Sequence, residues 1–199
     1  MSARAWLVDL DGTLYRALPV KLCMAGELVL CGGPAIQTLR AFREEHERLR
    51  GGSIDLLPSP WHVQLERTAR RLALDPGALQ QLTEEWMIVR PGRWIARFAR
   101  RFLLAEIAAA RARGIRTALV SDYPARAKLV ALGATQLFDQ VVANGEPGGP
   151  LRLKPAAAGY LLAAQRLGVE PEACLVIGDR KDADGLAASR ANMRFRRVR

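Results

Sequence analysis

Residues 5–13 have the sequence AWLVDLDGT, in which a short apolar run leads into two aspartates, a glycine and a threonine. The run at residues 5–8 predicts a buried β-strand, because a half-exposed strand would alternate apolar and polar side chains. Three more short runs of this kind occur at residues 117–120, 140–143 and 174–177. Strands that are apolar on both faces are typical of a parallel sheet covered by helices on each side.

Helical patterns separate the later strands. Residues 124–132 and 155–167 each begin with proline and are followed by glycine, which is the preferred arrangement at the two ends of a helix. A third helix is predicted at about residues 184–191, and a final edge strand at residues 194–199. Strands that alternate with helices in this way predict a doubly wound α/β fold with a Rossmann-like parallel sheet.

Residues 16–91 interrupt this alternation. They contain no buried strand, and amphipathic helical patterns lie at residues 35–50, 61–73 and 77–86. We therefore predict a core formed by residues 1–15 and 92–199, with a helical cap inserted at residues 16–91. A long helical pattern over residues 94–113, closed by Gly114, leads back into the second strand.

The composition excludes several classes of protein. The chain has 199 residues, of which 50% are hydrophobic and 25% charged, and this excludes a disordered or low-complexity polymer. No stretch approaches the roughly 18–20 consecutive apolar residues of a membrane span, and the N-terminus lacks the apolar segment of a signal peptide. Three cysteines without a CxxC pair predict reduced thiols, so we expect a cytoplasmic protein.

The basic excess has two interpretations. Lysine and arginine together number 30 against 20 acids, a net charge of +10, and only four of the basic residues are lysines. A coding bias toward arginine is one explanation. The other is a positive surface that attracts nucleic acid or small anionic substrates.

Polar residues follow each predicted strand. They are Asp9, Asp11, Gly12 and Thr13 after the first, Ser121 and Asp122 after the second, Lys154 after the third, and Asp179, Asp182 and Asp184 after the fourth. Ligands of open parallel sheets bind at the carboxyl ends of the strands, so we expect these residues to converge. Converging carboxylates require a cation, and oxygen ligands favour Mg²⁺ together with phosphate.

Four of these segments resemble the motifs of the haloacid dehalogenase superfamily. They are Asp9-Leu10-Asp11-Gly12-Thr13, Ser121, Lys154-Pro155, and Gly178-Asp179 with Asp184, in the family's order and at the ends of the predicted strands. The resemblance covers about residues 4–15 and 115–193. It implies a Rossmann-like core and, for residues 16–91, a helical cap similar to that of phosphoglycolate-phosphatase-like members.

The resemblance also implies roles for individual residues. Asp9 is then the nucleophile that forms an aspartyl-phosphate, and Asp11 the general acid and base. The metal ligands are Asp9, the Asp11 backbone carbonyl, Asp179 and Asp184, and the phosphoryl group is bound by Ser121, Lys154, Gly12 and Thr13. Members that cleave carbon–halogen bonds lack the second aspartate, so Asp11 indicates phosphoryl transfer.

Two positions in the motifs allow alternatives. Asp184 is the preferred second acid after Asp179, and Asp182 is the other candidate. Asp122 stands where relatives often have Asn or Gly; it could point away, pair with Arg126, or cap the helix that opens at Pro124, and we expect the capping role.

The function implied is a Mg²⁺-dependent phosphatase that acts on a small phosphorylated metabolite under the cap. A phosphomutase or phosphotransferase of the same superfamily is one alternative, and a basic nucleic-acid-binding protein that retains the fold is another. No motif in the sequence identifies the substrate or the oligomeric state.

Overall fold

The computed structural model describes residues 3–50 and 52–198. Its centre is a five-stranded sheet in the order β3-β2-β1-β4-β5, and all neighbouring strands pair in parallel. The strands are β1 (Ala5–Asp9), β2 (Arg116–Ser121), β3 (Gln140–Ala143), β4 (Cys174–Gly178) and β5 (Arg194–Arg197). The predicted doubly wound fold is confirmed, and the edge strand predicted at residues 194–199 is β5; Arg199 lies outside the described residues.

Both faces of the sheet are covered, which explains why its strands are apolar throughout. Leu7 packs with Tyr160 and Val176 on one face, while its neighbour Val8 packs with Ile95 and Ile107 on the other. The covering helices are α5 (Gly92–Arg97), α6 (Arg101–Ala112), α7 (Arg126–Ala131), α8 (Ala158–Leu167) and α9 (Leu186–Arg190). Successive side chains of a strand are therefore buried against opposite helical layers, and the strand is apolar at every position instead of at every second one.

Four helices lie between β1 and α5. They are α1 (Ala17–Cys31), α2 (Gly33–Leu49), α3 (Pro60–Leu72) and α4 (Pro76–Glu84), followed by a π-helical turn at Glu85–Val89. Three of them match predicted patterns; α1 was not predicted as a helix. A separate small core joins α2, α3 and α4 through Phe42, Trp61, Leu65 and Leu79.

The prediction of one continuous helix over residues 94–113 is wrong, because the helix is interrupted at residues 98–100, between α5 and α6. Tyr15 and Ala99 form an antiparallel bridge there. The Arg16 N–H donates to the Phe98 carbonyl at 3.0 Å, and the Arg100 N–H donates to the Leu14 carbonyl at 2.8 Å. These cross-chain bonds use backbone groups that a continuous helix would need. The chain thus leaves the sheet and returns to it through two adjacent segments.

No helix within the described residues combines the length and the hydropathy that a membrane span requires.

Candidate active site

Asp9 lies at the carboxyl end of β1 and is held from two sides. Its Oδ1 accepts a hydrogen bond from Lys154 Nζ at 2.5 Å, and its Oδ2 accepts one from Thr13 Oγ1 at 2.7 Å. The side chain is 11% exposed, so a small part of it remains accessible to solvent. The turn after β1 therefore presents Asp9 in a fixed orientation.

Lys154 bridges two carboxylates. Its Nζ lies 2.9 Å from Asp184 Oδ1, and it also donates to the Val120 carbonyl at 3.0 Å. Burial disfavours the charge of Lys154, but the carboxylates of Asp184 and Asp9 outweigh burial and hold its pKa well above the usual value. Lys154 is thus a nearly buried side chain whose two carboxylate neighbours favour its ammonium form.

Three carboxylates share this end of the sheet. Oxygens of Asp9, Asp179 and Asp184 all lie within 4.8 Å of one another. Burial, with the nearby Asp184 charge, raises the pKa of Asp9 to about 8 and raises that of Asp179. The pKa of Asp184 is lowered instead, since Lys154 and a 2.8 Å hydrogen bond from the Tyr160 hydroxyl outweigh its burial.

The charge of this cluster fits a divalent cation. Three acids surround one ammonium, and burial together with the Asp184 charge raises the pKa of both Asp9 and Asp179. Carboxylate oxygens in a small group are the ligands that Mg²⁺ prefers. The donor set is therefore the one expected for a magnesium site.

Asp182 and Asp184 have different surroundings. Asp184 is buried within the cluster, and its Oδ2 accepts a hydrogen bond from the Arg180 backbone N–H at 3.2 Å. The Asp182 side chain is 70% exposed and forms an ion pair with Arg180. The structure thus brings Asp184 to Asp9 and Asp179 and leaves Asp182 outside.

Two glycines allow the acids to approach the backbone. Gly12 has φ +96°, and a Cβ atom there would lie 2.3 Å from Asp179 Oδ2. A Cβ at Gly178 would lie 2.4 Å from Asp184 Oδ2. The Gly12 position needs glycine for both its conformation and its space.

Asp11 is held by residues that the sequence analysis did not assign to the site. Its Oδ1 accepts hydrogen bonds from Lys128 Nζ at 2.7 Å and from the Tyr15 hydroxyl. Burial raises the pKa of Asp11, but the Lys128 charge and these two hydrogen bonds outweigh it, and the net shift is downward. Lys128 lies on the buried face of α7, beside Ala125 and Leu129. The feature of the sequence that could have identified it is a lysine on the apolar side of the helix predicted over residues 124–132.

Ser121 and Asp122 line the second strand end. The buried Ser121 Oγ accepts a hydrogen bond from the Tyr123 N–H at 3.2 Å. The expected capping role of Asp122 is wrong, because Glu146 Oε1 accepts from the backbone N–H groups of Ala125 and Arg126 at the start of α7. Asp122 Oδ1 instead accepts from the Lys154 backbone N–H at 3.1 Å and so anchors the loop that carries the lysine.

Helices α2 and α3 contact the residues around the site. Arg50, at the end of α2, donates from Nε to the Lys154 carbonyl at 3.0 Å. The buried His46 ring stacks on Tyr123 with centroids 4.5 Å apart, and the Trp61 N–H donates to Asn144 Oδ1 at 2.9 Å. These contacts place α2 and α3 against the segments that follow β2 and β3, including the loop that carries Lys154.

Comparison with protein families gives a match over nearly the whole chain. The model for haloacid dehalogenase-like hydrolase matches residues 3–192. A glyceraldehyde 3-phosphate phosphatase of Methanopyrus kandleri is 42% identical over 72 residues, which are 36% of this chain and 30% of the phosphatase. The chain therefore aligns with less than a third of that curated relative.

Solved structures share the fold along the full length. A haloacid dehalogenase-type phosphatase from Thermococcus onnurineus has 21% identity and a TM-score of 0.63, with coverage of 100% of this chain and 86% of the other. L-2-haloacid dehalogenase from Xanthobacter autotrophicus has 19% identity, a TM-score of 0.65 and coverage of 98% and 77%. β-Phosphoglucomutase from Clostridium difficile has 18% identity, a TM-score of 0.63 and coverage of 97% and 83%.

Proposed function

Because this chain belongs to the haloacid dehalogenase-like hydrolase family, we propose that it is a Mg²⁺-dependent phosphatase that hydrolyses a small phosphomonoester through an aspartyl-phosphate. The observation that carries the proposal is the pair Asp9 and Asp11 on one turn, each bound to its own buried lysine. Asp9, in the acidic cluster, provides the nucleophile, and Asp11, two residues later, provides a separate group that carries the proton.

The first step is attack by Asp9. A carboxylate oxygen of Asp9 forms a bond to phosphorus, and the bond from phosphorus to the ester oxygen breaks. Asp11 donates to that leaving oxygen the proton that it takes from water in the second step of the preceding turnover, so the proton is conserved over the cycle; its lowered pKa makes it the stronger acid in this step. Lys154, which holds Asp9 Oδ1 at 2.5 Å, keeps the carboxylate oriented and offers positive charge to the phosphoryl oxygens.

The second step releases phosphate. Asp11, now ionised, removes a proton from a water molecule whose oxygen attacks phosphorus, and the bond between Asp9 and phosphorus breaks. Lys128 and Tyr15 favour the ionised form of Asp11 that this step needs. The Ser121 hydroxyl and the turn at Gly12 and Thr13 bind phosphoryl oxygens in both steps.

Asp9, Asp179 and Asp184, with the Asp11 carbonyl, would hold the Mg²⁺ ion. When bound, the ion supplies the positive charge that ionises Asp9 and offsets the charge of the phosphate ester.

We propose residues 16–91 as the cap that selects the substrate. Arg50, His46 and Trp61 join these helices to the strand ends at the site. A cover at this position supports a small substrate over a polymer, because it limits the space above Asp9 and excludes water. The three cysteines are free thiols, which supports the expected cytoplasmic location.

The test is release of inorganic phosphate from p-nitrophenyl phosphate with and without Mg²⁺. We expect Mg²⁺-dependent release, and a loss of at least about a thousandfold in Asp9→Asn, since nucleophile removal has effects of that order or more. Asp182→Asn, which removes an exposed acid near the same site, is the matched control and should retain activity. Equal rates for wild type and Asp9→Asn would overturn the proposal.

A further inference from the structure

A cavity with a volume of about 390 Å³ lies beside the segments through which the chain leaves and re-enters the sheet. Five arginines line it: Arg16, Arg100, Arg101, Arg196 and Arg197. Glu106 is the one acid among its lining residues, so five positive charges face one negative charge and the formal net charge is +4. A concave surface with this charge concentrates anions.

The Glu106 charge is already committed. Arg196 binds it through Nη1 at 2.5 Å and Nη2 at 3.0 Å, and the same guanidinium lies over the Trp6 ring. Arg197 donates from Nε to the Asp179 carbonyl at 3.1 Å, and among the described residues no carboxylate forms an ion pair with it. Within residues 3–50 and 52–198, no carboxylate lies within ion-pair distance of the exposed Arg16 or Arg101 guanidinium.

The arginine-rich composition alone does not account for this imbalance. A larger groove beside α2, of about 620 Å³, is also lined by arginines, but Glu44 and Glu47 lie among them. There Arg40 forms an ion pair with Glu44 at 3.1 Å. The lining of that groove has three arginines and two glutamates, a formal net charge of +1, against +4 in the arginine cavity.

An aromatic ring adds a second kind of contact. Phe102 lines the arginine cavity and is 85% exposed. An exposed ring next to arginines offers a stacking surface for a nucleobase, whose phosphates the guanidinium groups can bind. The cavity volume is near the lower end of the range for small-ligand pockets, roughly 300–1,000 Å³, which suits one nucleotide better than a polymer.

We propose that this cavity is a nucleotide-binding site, in which Arg16, Arg101 and Arg197 bind the phosphates of a nucleoside polyphosphate and Phe102 stacks on the base. The site uses none of the residues assigned to phosphate-ester hydrolysis. The proposal therefore does not rest on the proposed function, and its failure would leave the phosphatase assignment intact.

The test is calorimetric titration with adenosine 5′-(β,γ-imido)triphosphate, a probe that resists hydrolysis, in low salt with EDTA. We expect Arg16→Gln and Arg101→Gln each to weaken binding by about tenfold, as loss of one charged hydrogen-bond donor predicts. Arg113→Gln is the matched control, because Arg113 is exposed just beyond the far end of α6 and its loss changes the net charge equally. It should bind the probe as wild type does.

Inorganic tripolyphosphate provides the second arm. Wild type should bind the nucleotide several-fold more tightly than tripolyphosphate, and Phe102→Ala should remove that preference while it leaves tripolyphosphate binding unchanged. Absence of nucleotide binding, or equal weakening by Arg113→Gln, would overturn the proposal. Equal affinity for the two probes, or tighter binding of a single-stranded oligonucleotide through the same residues, would overturn it as well.

Discussion

Lys128 Nζ lies 2.7 Å from Asp11 Oδ1, and the lysine side chain is 6% exposed. The two residues are 117 positions apart in the chain, one on α7 and one on the turn after β1. A buried lysine needs a nearby acid to compensate its charge. Here that acid is Asp11, the proposed proton carrier. The pair therefore links the stability of α7 to the chemistry of the site.

Lys128→Met should destabilise the protein and reduce its activity. It leaves the Asp11 carboxylate without its cation, so we expect the free energy of unfolding to fall by about 1–3 kcal/mol. Asp11→Asn added to Lys128→Met should restore part of that loss, because no uncompensated charge then remains. Urea unfolding of the four proteins of this double-mutant cycle measures the coupling; additive effects would contradict the ion pair. Lys21→Met, at an exposed lysine, is the control.

Asp184→Asn and Asp182→Asn should differ in metal binding. Each removes one carboxylate charge, but only Asp184 shares the buried cluster with Asp9 and Asp179. We expect Asp184→Asn to weaken Mg²⁺ binding by at least about tenfold and Asp182→Asn to have little effect. Calorimetric titration with Mg²⁺ reads this without any assay of activity, and equal affinities in the two variants would contradict the proposed ligand set.

His46 should make the protein less stable in acid. Burial lowers the pKa of His46, although the Asp122 charge and the contact with Gln64 oppose the shift. The unfolded chain therefore binds a proton at a higher pH than the folded chain does. Above the pKa of histidine in the unfolded chain, near 6.5, His46 is neutral in both states and costs no stability. As the pH falls below that value, the free energy of unfolding decreases by up to about 1.4 kcal/mol per pH unit.

Urea unfolding at pH 5 and pH 7.5 tests this effect. The difference in free energy of unfolding between the two pH values should be smaller in His46→Gln than in wild type. His62→Gln, at the exposed histidine, should keep the wild-type difference. An unchanged difference in His46→Gln would show that other groups cause the acid sensitivity.

Gly12→Ala should cost more stability than Gly114→Ala. Both glycines have positive φ, +96° and +83°, so each alanine pays a conformational cost of about 1–2 kcal/mol. A Cβ at Gly114 meets open space, whereas a Cβ at Gly12 collides with the Asp179 carboxylate. We expect a further cost of about 1–3 kcal/mol for Gly12→Ala, and weaker Mg²⁺ binding, by unfolding and titration. Equal costs in the two variants would contradict the close approach of Asp179.

Patterns local in sequence were sufficient for the sheet and for several site residues. The continuous apolar run at residues 5–8 predicts a strand covered on both faces, and Leu7 and Val8 do pack against opposite helical layers. Because parallel strands end at one edge, Asp9 and Lys154 could be expected to meet from their places after two different strands. The structure joins them at 2.5 Å.

Residues whose partners lie far away in the chain could not be assigned in this way. Lys128 belongs to a helical pattern that predicts only a buried face, and nothing near it in the sequence names Asp11 as its partner. The break between α5 and α6 follows from the bridge between Tyr15 and Ala99, which local helical periodicity cannot reveal.

The sequence by itself thus determined the parallel sheet, the acids at its edge and the family, because each depends on short apolar runs and on motifs a few residues long. Only the tertiary structure showed that Asp184 lies in the acidic cluster while Asp182 is exposed. It also showed that Asp122 binds the backbone of the Lys154 loop and does not cap a helix. It also gathered Arg16, Arg101 and Arg197 in one cavity. The physical reason is that burial and charge compensation depend on distances between side chains, which packing sets and local sequence does not.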